Sequence, residues 1–80
     1  MERYLTDLAK GEEGIIVAIQ GGRGLHQRLG RLGLDEGKVI RKLSELALGG
    51  PVIVSVNRAQ VAIGRGMARK IQVRRAATGG

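Results

Sequence analysis

A small, mainly β domain, a barrel of about five short strands with one short α-helix inserted, is what this sequence predicts. Three observations lead there. Apolar and polar residues alternate over short runs at Ile15–Gln20, Val52–Asn57, Val61–Ile63 and Ile71–Arg74, the period of half-buried strands. One segment alone, Leu25–Leu34, carries apolar residues at helical spacing. Eighty residues supply a single core, and closing the sheet on itself is the economical way to hide the edges of so many short strands.

Taken in order, Leu5 and Leu8 precede Gly11, a polar turn at Glu12-Glu13, and Gly14. The strand Ile15–Gln20 then places Ile15, Val17 and Ile19 on one face with Ile16 and Ala18 on the other, so both faces are expected to be covered. Gly21-Gly22-Arg23-Gly24 leads into the helix, whose stripe is Leu25, Leu29 and Leu32, leaving Gln27, Arg28 and Arg31 to solvent. Gly33 is expected in the left-handed region just past the helix, with Leu34 closing against Leu29 as in a Schellman end. Gly30 within the stripe is expected to let the helix lie close to the sheet.

Asp35-Glu36-Gly37 is a turn into a strand over Lys38–Glu45 with Val39, Ile40 and Leu43 as its apolar positions. The spacing Leu34-x-x-Gly37 echoes Leu8-x-x-Gly11, one turn-into-strand device used twice. After a loop at Leu46–Gly50, Pro51 begins the central hairpin, where no ladder donor is needed. Val52, Val54 and Val56 form its core face; Asn57-Arg58-Ala59-Gln60 breaks the run, and Val61 and Ile63 resume it. Gly64-Arg65-Gly66 is expected to be a sharp turn at positive φ that throws Arg65 outward. Ile71 and Val73 mark the last strand. The division expected is one domain over 1–75 and a frayed tail over 76–80.

Net charge is +7, unevenly spread. Residues 1–45 hold eight Lys or Arg against seven acids, whereas residues 46–80 hold six cations and no acid. A basic half of this kind favours acidic proteins, anionic lipid headgroups or nucleic acid. Tyr4 is the sole aromatic residue, which counts against the base-stacking readers of single strands. Cysteine is absent and no apolar run approaches a spanning helix, so disulfides and thiolate ligands are excluded. The charged N-terminal segment lacks the apolar core of a signal peptide, and a cytoplasmic location is expected.

Catalysis has little to work with. His26 is the only histidine and the serines are Ser44 and Ser55, both on expected strands, so no nucleophile with a base and an orienting partner can be assembled. His26 with Glu12, Glu13, Asp35 or Glu36 has no recognised ligand spacing, and no metal site is expected. Neither Gly21-Gly22-Arg23-Gly24 nor Gly64-Arg65-Gly66 completes a nucleotide fingerprint or P-loop. Neither a cofactor nor an enzyme is expected.

Several motifs in order resemble the FeoA family, ferrous iron transport protein A: Leu5-Thr6-Asp7-Leu8 with Gly11 and Gly14-Ile15; Leu29-x-x-Leu32-Gly33-Leu34-x-x-Gly37; Gly50-Pro51-Val52; and Val61-Ala62-Ile63-Gly64-Arg65-Gly66-Met67-Ala68. The likeness covers about Tyr4 to Val73. It implies an SH3-like barrel, similar to the C-terminal domain of DtxR-type repressors. It also implies a cytosolic accessory protein of ferrous iron uptake whose partner is FeoB, a membrane transporter with a cytosolic GTP-binding domain, and it brings no catalytic residues. For the partner surface we single out Arg23, Leu25, Arg28 and Arg31 on the helix and its entry, and Arg65 and Met67 at the later turn. Both places combine cations expected to face outward with apolar residues that strand periodicity does not need. The alternatives are a free-standing basic barrel that binds nucleic acid, and a metal-responsive domain like that of the repressors. Weak association with an anionic membrane surface also fits the charge.

Overall fold

In the computed structural model, which describes residues 3–76, the central hairpin is built as its alternation requires. Strand β4, Val52–Val56, sends Val52, Val54 and Val56 into the core while Ile53 and Ser55 stay half-buried. Strand β5, Ala59–Ile63, pairs with it from Val56↔Ala59 to Val52↔Ile63. The break expected over residues 57–60 is shorter. Asn57 and Arg58 alone make the turn, with φ of 52° and 68°, a type I′ pair whose twist suits a two-residue hairpin and leaves Ala59 and Gln60 to the strand.

Around the hairpin lie β1 (Arg3–Tyr4), β2 (Glu13–Ile19), β3 (Val39–Glu45) and β6 (Ile71–Arg75), with helix α1 (Arg23–Arg31) after β2 and the single-turn α2 (Arg65–Ala68) after β5. The strands form one antiparallel sheet in the order β1-β6-β2-β3-β4-β5. Every strand except β1 sends residues into one core, which Leu5, Leu8, Leu29, Leu34 and Ala68 complete. This is the SH3-like barrel expected, with a sixth strand of two residues and a second helix added. Of the tail expected over 76–80, only Ala76 falls among the described residues.

Two β-bulges account for the main departures from the expected faces. In β2 the pairing with β6 slips between Ile16 and Ala18. Ile16 and Ile19 are therefore buried, and Ile15 and Val17 only partly so. In β3 the pairing with β4 slips between Lys42 and Ser44. Ahead of the slip Ile40 and Lys42 point inward and Val39 is exposed, while Leu43, at the slip, is half-buried. One inserted residue reverses the facing of all that follow it, which strict alternation cannot anticipate.

The helix exit is as expected. Gly33 has φ 86°, its N–H donates to Gly30 O at 3.0 Å, and Leu34 N–H donates to Leu29 O at 2.9 Å, the paired bonds of a Schellman motif. Leu32, expected in the buried stripe, is 40% exposed because the helix ends at Arg31 and Leu32 is already its C-cap. Gly30 does not serve close packing on the sheet: a Cβ there would meet Asp35 Oδ1 at 3.1 Å. The repeated turn device is real. Gly11 and Gly37 have φ of 85° and 90°, and the following residues Glu12 and Lys38 donate back to Ala9 O and Asp35 O, two type II turns.

Candidate partner-binding surface

At one end of the barrel, β3 and β4 are joined by residues 46–51, an apolar loop, Leu-Ala-Leu-Gly-Gly-Pro. Leu46 is 51% exposed and Leu48 fully so. Leu48 also has φ 61°, a left-handed conformation that crowds its Cβ and that leucine rarely adopts. The loop is nonetheless well held. Leu46 N–H donates to Pro51 O at 3.0 Å, and Gly50 N–H to Ala47 O at 3.2 Å.

Arg65 fastens the loop from the side. Its Nη1 is 3.2 Å from Glu45 Oε2 and its Nη2 donates to Leu46 O at 3.5 Å. The outward Arg65 expected from a Gly-Arg-Gly turn is corrected by these bonds. Gly64 has φ −56°, neither glycine beside Arg65 takes positive φ, and Ala68 N–H returns to Gly64 O in a helical turn. Glu45 accepts on its other oxygen from Lys42 Nζ. Lys42 is only 2% exposed, and its ammonium also donates to Leu8 O at 2.7 Å and Thr6 O at 3.3 Å. Burial pushes the Lys42 ammonium below its ordinary pKa, and the nearby Arg65 charge acts in the same direction. A Lys–Glu–Arg chain thus ties three separate segments together beneath the exposed tip.

The six residues singled out in the sequence fall into two groups. Arg23, Arg28 and Arg31 are exposed along α1, with Leu25 packed against the core. Arg65 belongs to the tip, and Met67 is half-buried against the core. The C-terminal end of α1 abuts the Asn57 turn, since a Cβ on Gly33 would meet Asn57 Nδ2 at 2.9 Å. Arg65 sits by Glu45, which pairs with Val52 at the other end of β4. The length of β4, roughly 15 Å at its per-residue rise, separates the two places.

Lys42, Glu45, Leu46 and Leu48 were missed by pattern reading. Lys42 shares the inward face of Ile40 by simple alternation, but a charged residue at such a position does not read as core in the sequence. Leu48 did carry a signal, an apolar residue immediately before Gly49-Gly50 in an inter-strand loop. Among the described residues no three of His, Cys, Asp and Glu converge as a metal site requires, and no helix is long and apolar enough to cross a membrane.

The comparisons with known proteins agree with one another. A protein of Methanocaldococcus jannaschii named "Putative Fe(2+) transport protein A" is 45% identical over 74 residues, covering 89% of this chain and 84% of that protein. A crystal structure of an iron uptake regulatory protein (FeoA) is 37% identical and superposes with a TM-score of 0.85 over 95% of this chain and 99% of the other. A manganese-dependent transcriptional repressor superposes at a TM-score of 0.84 with 21% identity, over 94% of this chain and 42% of the repressor chain, a likeness of fold alone. The model of the FeoA domain matches residues 3–75, and this chain belongs to that family.

Proposed function

We propose that this protein is a small accessory protein of Fe2+ uptake that acts by docking on the cytosolic side of the FeoB transporter, without catalysis of its own. Family membership supports the iron system as the setting. The observation that carries the docking mode is the tip: a fully exposed leucine in a conformation unfavourable to it, on a loop fixed by Arg65. Conformational strain is retained where the surrounding structure enforces it, and such positions cluster at functional contacts. An apolar anchor presented with little freedom loses little entropy on binding. Leu46, Leu48 and Arg65 are thus the proposed docking face, with the arginines of α1 as a second, electrostatic contact.

The test is retention of the purified protein on membranes with and without FeoB across a salt series. Docking through an apolar anchor calls for FeoB-dependent retention that persists at moderate salt. Equal retention on both membranes, removed by salt, would show the basic half finding lipid or nucleic acid instead.

A further inference from the structure

The two edges of the sheet are treated differently. The β1 edge is two residues long and charged, with Arg3 bonded to Glu12 and Tyr4 N–H to Asp7. The β5 edge is five residues long, Ala-Gln-Val-Ala-Ile, with no charge and no proline, and no bulge in its pairing. Proteins normally protect an edge of that length with one of these devices. Because Asn57-Arg58 is a two-residue turn, Val56↔Ala59, Val54↔Val61 and Val52↔Ile63 are the hydrogen-bonded pairs. The main-chain groups of Gln60 and Ala62 therefore face away from β4. Among the described residues neither of them hydrogen-bonds to any other group outside the strand ladder, and both are exposed.

We infer that β5 is a strand-addition site that accepts an extended segment of the docking partner, hydrogen-bonded to the main chain of Gln60 and Ala62. This rests on the docking reading above and specifies its contact. The edge runs from Ile63, beside Val52 and the leucine tip, to Arg58, beside the turn that α1 abuts. A strand laid along it would join the two groups of candidate residues that β4 holds apart. Charge selects the occupant. Arg58 is exposed and belongs to none of the ion pairs among the described residues. Two copies of this chain paired antiparallel through β5 would set the Arg58 end of one against the Gly64-Arg65 end of the other, where Glu45 is already held by Lys42 and Arg65 and leaves no free carboxylate for Arg58. A partner segment uncharged in its middle and acidic at the end that meets Arg58 fits instead, with main-chain bonds supplying affinity.

The experiment uses the full chain and FeoB purified in detergent. In the free protein the amides of Gln60 and Ala62 are expected to exchange with solvent rapidly and those of Val61 and Ile63 slowly; on adding FeoB, Gln60 and Ala62 should slow at least tenfold. The double variant Gln60→Pro, Ala62→Pro removes only outward N–H groups and should lose co-purification while Val61 stays protected. Arg58→Gly, which suits the positive φ better than arginine, guards against misfolding of the proline variant and should weaken retention several-fold. Slow exchange at Gln60 and Ala62 in the free protein would overturn the inference, as would undiminished co-purification of a folded proline variant; docking itself would survive either result. Failure of the unaltered protein to co-purify would overturn docking and strand addition together.

Discussion

Leu48 and Arg58 share an unusual backbone state. Both have φ above 60°, and both carry long side chains into solvent where glycine would be at ease. Left-handed backbone costs an ordinary L-residue about 1–2 kcal/mol. Arg58→Gly converts the turn to Asn-Gly, the favoured type I′ pair, and should stabilise the fold by about 1 kcal/mol in urea unfolding. Lys42 shows the opposite case, a charge held inside by three acceptors. Lys42→Ala strands the Leu8 and Thr6 carbonyls and takes one partner from Glu45, and should cost about 3 kcal/mol. Lys42→Met keeps the buried stem and should cost about 1–2 kcal/mol. A larger loss for Met than for Ala would show that the stem and not the ammonium is misplaced.

Elements with local signals were legible in the sequence. The Schellman exit of α1 and the paired type II turns rest on glycines at fixed offsets, and the β4 alternation has no bulge to disturb it. The parts that stayed hidden depend on contacts distant in sequence. Bulges in β2 and β3 are set by their neighbours β6 and β4, and Arg65 turns back to Glu45, which is twenty residues away in sequence but lies at the same end of the sheet. The same distance hides the entry to β2. There Arg3 Nη1 meets Glu12 Oε2 at 2.8 Å and Ala9 N–H meets Glu12 Oε1 at 2.9 Å, which together hold the Glu12 carboxyl at a pKa of about 2 against an ordinary 4.5. A carboxylate depressed on folding adds stability that is present in full above its unfolded pKa and is lost as pH falls through the folded one. Unfolding free energy should therefore decline between about pH 5 and pH 2. In Glu12→Gln that decline should be shallower; an unchanged slope would mean the ion pair with Arg3 does not form in solution.

At the scale of the whole molecule, the candidate site was legible only in part. The cations of α1 follow from the helical spacing of its apolar stripe, whereas Arg65 was singled out from an outward turn that the structure does not form. The apolar tip and the open β5 edge needed the topology, because neither an edge nor a loop tip exists until the strands are ordered. The barrel brings the tip and the edge together: β5 ends at Ile63 opposite Val52, where the loop bearing Leu48 ends. Leu48 there is held against its local preference, as the proposed docking through the tip requires. The most direct measurement is therefore Leu48→Gly, followed for both thermal stability and retention on FeoB-containing membranes. Relief of the left-handed strain should raise the melting temperature while loss of the anchor cuts retention at least tenfold; a more stable protein retained as well as before would contradict docking through the tip.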